Sequence, residues 1–205
     1  MTRQDEPSEA TIFTIGHSNH PLEAFLDLLR LHRVEVLVDV RSQPYSRYAP
    51  QYTRRNLESA IKATQMRYLF LGKELGGRPD GDAFYDDAGH VDYSAVEQAA
   101  FFKEGIARLG NGLRKYRVAI MCSEEDPSGC HRRLLVGRVL AERGVALLHI
   151  RADGRIDREE KVRDERMQED DGRLALFPDL EATERTWKSI RSVLPAEAHK
   201  PSSAP

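Results

Sequence analysis

The chain has 205 residues, 40% of them hydrophobic and 31% charged, with a formal net charge of −2. This balance suits a globular chain long enough to bury a core, and it argues against a protein that coats nucleic acid through bulk positive charge. No stretch approaches the ~20 apolar residues that cross a bilayer. The opening MTRQDEPSEA lacks the apolar core of a secretory leader, and two cysteines make no disulfide framework. A cytoplasmic protein with no membrane partner is expected.

Taken in order, TIFTIGH reads as a strand and Pro21 opens a helix, PLEAFLDLLRLHR, with Leu22, Phe25, Leu26 and Leu29 at helical spacing. VEVLVDVRS is an apolar run bounded by charge, the pattern of a buried parallel strand. TRRNLESAIKATQ is a helix with Thr53 as its cap, RYLFLG a third strand, and KELGGRPDGD a glycine-bearing loop. A helical stretch runs from Tyr93 to Tyr116, with an interruption expected near Gly110 and Gly112. RVAIMCS is a fourth strand, SGCHRRLLVGRVLAERG a helix stopped by Gly144, and VALLHIRADG a fifth strand.

The charged tract from Arg151 to Arg173 reads as a solvated loop or helix, with a lid as one possible role. ATERTWKSIRSVL reads as an amphipathic helix burying Trp187, Ile190 and Val193. Strands alternating with helices predict an α/β fold: a mostly parallel sheet of about five strands, covered by helices on both faces. One domain is expected over residues 11–195, with flexible tails at 1–10 and 196–205.

In such sheets ligands bind beyond the carboxyl ends of the strands. Those ends carry Gly16-His17-Ser18-Asn19, Asp39-Val40-Arg41-Ser42, Gly72-Lys73-Glu74 and Cys122-Ser123-Glu124-Glu125, followed by His149 and Arg151. His17, after a strand and a glycine, is expected to face the crevice. His149, inside an apolar run, reads as a satisfied core histidine.

The sharpest element is MCSEEDPSGCHRR. Cys130, His131 and Arg132 fall in the first helical turn, where backbone N–H groups favour an anion and acidify a thiol. The plain alternative is a buried cysteine with Arg132 paired locally. Cys122, Cys130 and His131 are also three potential metal ligands, although zinc more often takes cysteines two to four residues apart. Neither cysteine has an arginine at the sixth position, so a phosphatase or rhodanese loop is absent.

RSQPYSRYAPQYTRR interleaves Arg41, Arg47, Arg54 and Arg55 with Tyr45, Tyr48 and Tyr52, a composition that clamps phosphates and stacks bases, or else forms an ordinary surface loop. Gly76 and Gly77 permit close backbone approach or positive φ, and Lys73 and Arg78 flank them. No nucleotide P-loop pattern is present.

TIGHSN, VDVRSQPYSR, LGKELGGRP and C-x7-C-H-R, in this order between Thr11 and Gly154, resemble the domain-of-unknown-function 488 family. The resemblance implies a shared site rather than a stated activity, at His17, Asp39, Arg41, Glu74, Gly76, Gly77, Cys122, Cys130, His131 and Arg132.

The reading that joins these signals is an enzyme acting on a nucleotide, nucleobase or nucleic-acid fragment. His17, Asp39, Glu74, Cys122, Glu124 and Cys130 are its catalytic candidates. Arg41, Ser42, Tyr45, Arg47, Gly76, Gly77, Arg78, His131 and Arg132 are its candidates for binding the substrate. A non-catalytic module for an anionic ligand, and a metalloprotein using Cys122, Cys130 and His131, are the alternatives. No cofactor is legible.

Overall fold

A computed structural model describes residues 10–166 and 187–193. Among these residues six strands form one sheet: β1 (Thr11–Gly16), β2 (Val36–Asp39), β3 (Arg67–Phe70), β4 (Val118–Cys122), β5 (Ala146–Ile150) and β6 (Ile156–Arg158). Their order is β3-β2-β4-β1-β5-β6, parallel throughout except that β6 runs antiparallel to β5. The α/β fold is as expected, with six strands rather than five. The extra strand comes from the charged tract after Arg151, where residues 159–166 then turn helical. The part of that tract beyond residue 166 lies outside the described residues, as do residues 1–9 and 194–205.

Each central strand is apolar on both faces because helices cover both. On one side, α1 (Leu22–Leu31) and α2 (Arg54–Lys62) bury Phe25, Leu26, Leu29, Leu57 and Ile61 against Phe13, Ile15, Leu37 and Met121. On the other, α4 (Tyr93–Gln98) and α5 (Ala100–Leu113) pack Val96, Phe102, Ile106 and Leu109 on Val36, Val38, Val118 and Ile120. Between them in sequence, the short α3 (Gly72–Leu75) occupies part of the expected loop.

Three local expectations are corrected. The helical stretch from Tyr93 breaks at Ala99, whose extended ψ of 140° separates α4 from α5, while Gly110 and Gly112 remain helical. After Cys130 the chain forms a π-helix over Arg132–Gly137 before α6 (Arg138–Ala141), where a plain α-helix was expected.

The third correction concerns the described residues 187–193, which are not helical. They lie beside residues 89–93: Tyr93 N donates to the Trp187 carbonyl (2.9 Å), Ser189 N to Val91 (2.9 Å) and Val193 N to Gly89 (2.7 Å). Trp187 is half-buried there and donates from its indole to the Leu134 carbonyl, and Ile190 is exposed.

Candidate functional site

Parallel pairing sets the carboxyl ends of β1, β2 and β4 side by side, with Gly16 in register with Cys122 and Asp39 with Met121. The loop from Cys122 to Cys130 rises from this rim. Beside it opens a crevice of about 430 Å³, lined in part by Cys122 and His131. Its walls are formed by Arg41, Ser42, Tyr45, Gly77, Arg78, Tyr93 and Glu124, together with Ser189 to Val193.

Cys122, Cys130 and His131 converge, their Sγ and ring-nitrogen atoms all lying within 4.8 Å of one another. Nδ1 of His131 is 3.6 Å from Cys122 Sγ and 3.9 Å from Cys130 Sγ. Its Nε2 lies 3.0 Å from the Val40 carbonyl, which can only accept, so Nε2 carries the proton and Nδ1 turns its lone pair to the sulfurs. These three side chains are the group among the described residues suited to hold a metal ion.

The two thiols are unlike. A hydrogen bond from Cys130 holds Cys122 below the usual thiol range despite burial, with Arg132 adding to the effect. Burial, together with its role as donor to Cys122, pushes Cys130 well above that range. Burial opposes protonation of His131, but its hydrogen bonds to Cys130 and to the Val40 carbonyl outweigh it and raise its pKa. The expectation that Cys130 is the acidified thiol is therefore reversed: Cys122 is, and it is Cys122 that lines the crevice.

Arg132 does not line the crevice. It is fully buried, with its guanidinium donating to the carbonyls of Glu124 and Glu125 and, at 3.3 Å, to Thr14 Oγ1. It staples the loop between the cysteines. Thr14 Oγ1 lies 2.8 Å from Nδ1 of His149, whose Nε2 meets Glu159 at 2.9 Å, so His149 is the satisfied core histidine expected.

Asp39 and His17 are also withdrawn from the crevice. Asp39 is fully buried and accepts from Arg41 Nε (2.9 Å), Arg41 Nη2 (2.7 Å) and the Tyr68 hydroxyl (2.7 Å). His17, expected to face the crevice, is buried, stacks on Tyr52 and accepts from Arg41 Nη1 at 3.0 Å. Burial, then the Arg41 charge, pushes its pKa down to about 4, so it is neutral at ordinary pH. Both residues orient Arg41, which does reach the crevice wall.

Glu74 faces α5 and pairs with Arg108 at 2.5 Å, away from the crevice. Arg47 is exposed over the Tyr48 ring, also outside the lining. Gly76 and Gly77 both have φ outside the positive region, so close approach is their purpose. A Cβ on Gly76 would meet Ser42 Oγ at 2.3 Å, and one on Gly77 would meet the His131 ring at 2.7 Å. Ser42 Oγ in turn accepts from Arg78 N and fixes that turn.

The family model for a domain of unknown function, DUF488, matches residues 21–139. The chain belongs to this family. The match takes in Asp39, Arg41, Gly77, Cys122, Cys130, His131 and Arg132, so the rim is largely family territory. No curated protein and no solved structure matches the chain.

Sequence reasoning missed Tyr93, Ser189 and Arg191. Tyr93 reads as the start of a helix, yet its ring lines the crevice, and burial, then Cys130 and Glu124, raise its pKa. Arg191 enters through the pairing of residues 187–193 with 89–93, a contact across about a hundred positions that no local pattern announces. No helix of the described residues is long and apolar enough to cross a membrane.

Proposed function

We propose that this member of the DUF488 family is an enzyme acting on a small anionic molecule of the nucleotide class, with its reaction centre at Cys122, Cys130 and His131. One observation carries the reading: two guanidinium groups with little to neutralise them face the same crevice as the reactive cluster. Among the described residues Arg78 makes no side-chain hydrogen bond or ion pair, and Arg191 pairs with Glu124 alone, at 3.5 Å. A guanidinium with a weak partner or none beside a concave site attracts an anion, and its paired donors suit phosphate. Tyr45, 74% exposed on the wall, offers a ring face for a base. Glu124, on the crevice wall, is the nearby group suited to move protons.

The test is calorimetric titration with inorganic phosphate and nucleoside monophosphates. Arg78→Ala and Arg191→Ala should each weaken binding by about 10-fold, the scale of one charge-assisted contact. Binding that is equal in all three proteins, or absent from the native one, would remove the reading. Binding without turnover across a substrate panel would leave a ligand-binding module.

A further inference from the structure

We infer that Cys122, Cys130 and His131 bind one zinc ion, with its remaining coordination position turned to the crevice. This rests on the reading of that crevice as the reaction centre only for its purpose; the ion itself is read independently.

The donor spacing is the first argument. Zinc bonds to sulfur at about 2.3 Å and to imidazole nitrogen at about 2.0–2.1 Å, so a tetrahedral angle sets sulfur and nitrogen about 3.6 Å apart. Nδ1 of His131 lies 3.6 Å from Cys122 Sγ and 3.9 Å from Cys130 Sγ. A hydrogen-bonded thiol pair needs only one such approach, whereas here one nitrogen comes within 3.9 Å of both sulfurs.

The second argument is the support behind the histidine. A metal-bound imidazole characteristically donates its other N–H to a carbonyl or carboxylate, which fixes both tautomer and ring plane. His131 does this with the Val40 carbonyl, and Gly77 leaves the room its ring needs. Arg132 holds the carbonyls of Glu124 and Glu125, so the loop carrying both cysteines is braced from inside the sheet.

The donor types choose the metal. Two thiolates and one imidazole suit zinc better than calcium or magnesium, which take oxygen ligands. Three protein ligands, rather than four, are the pattern of a catalytic zinc site, which keeps a position for water or substrate. Cys130 is fully buried while Cys122 and His131 line the crevice, so protein encloses the cluster on one side and the crevice opens on the other. Zinc there would lend the site a Lewis acid and lower the pKa of a bound water.

The experiment measures zinc in the full chain by mass spectrometry, then by competition against a chromophoric chelator. About one zinc per chain is expected. Cobalt(II) in its place should give the intense visible bands of a tetrahedral site and a sulfur charge-transfer band in the near ultraviolet. Cys122→Ser, Cys130→Ser and His131→Gln should each lower zinc affinity by more than about 100-fold, beyond the effect of an outer-shell change.

Should Cys130→Ser fail to fold, the native chain supplies a second reading: Cys122, which lines the crevice, resists a thiol reagent until a chelator is added. A folded native chain that takes up no zinc at micromolar free ion overturns the inference, as does unchanged affinity in Cys122→Ser and His131→Gln. Phosphate titration of the same preparations separates the two proposals. Phosphate binding lost in Arg78→Ala, with no zinc bound, removes the metal and leaves the anion site. Zinc bound with no phosphate binding upholds the metal and removes the anion site.

Discussion

Gly77 lies against the ring of His131 so closely that a Cβ there would stand 2.7 Å from His131 Cγ and 2.8 Å from Nδ1. The imidazole is pinned on its other side by the Val40 carbonyl, so it has little room to retreat. Gly77→Ala should therefore disturb the approach of Nδ1 to the two sulfurs, at a stability cost of about 1–3 kcal/mol for overpacking. Denaturant unfolding, with thiol-reaction rates measured on the folded protein, checks this. Unchanged rates and stability would show that the ring has freedom the packing denies it.

Arg132→Ala should cost about 2–4 kcal/mol of stability, because it opens a cavity and strips the Glu124 and Glu125 carbonyls of their donor. It should leave phosphate affinity within about 2-fold of native wherever the protein is folded, since a change of ~0.4 kcal/mol is within the usual effect of a remote residue. Retained stability with lost phosphate binding would restore Arg132 to the role the sequence suggests.

Asp39→Asn should destabilise by about 3–5 kcal/mol, the effect of leaving a buried cation without its partner. Asp39 and Arg41 are both buried and share three hydrogen bonds, two from the guanidinium and one from the Arg41 backbone N–H, with a fourth accepted from Tyr68. Chemical denaturation measures this directly. A loss of activity with native stability would instead mark Asp39 as a group that meets substrate.

Stability should fall with acid from about pH 6.5. Burial holds the pKa of His149 below its ordinary 6.5, so beneath that pH the unfolded chain binds a proton that the folded chain refuses. Burial raises the Glu159 pKa, but hydrogen bonds from His149 and Arg133 outweigh it, and the net pKa lies below the ordinary 4.5. Its contribution is present above that value and is lost as pH falls through the folded pKa. The His149 slope is at most about 1.4 kcal/mol per pH unit. Denaturant melts of native and His149→Gln protein from pH 7.5 to 5 check the sign; parallel profiles would free His149 from this role.

Much of the protein is determined by sequence alone, where the interactions are local or repeat with a short period. Runs such as VEVLVDV announce strands buried on both faces, Leu22 to Leu29 mark a helix stripe, and the topology rule for parallel strands then brings Asp39, Arg41 and Cys122 to one rim. Residue chemistry also named the cluster of Cys122, Cys130 and His131. What tertiary structure decided is which side of each group faces the crevice. A side chain's direction depends on partners far away in sequence: Arg132 turns inward to Thr14 and two loop carbonyls, His17 to Arg41 and Tyr52, and Glu74 to Arg108. The acidity order of the thiols follows from burial and donor direction, which spacing along the chain does not encode. The wall carrying Arg191 comes from backbone pairing of residues 187–193 with 89–93, and such pairing bonds leave no side-chain pattern to read.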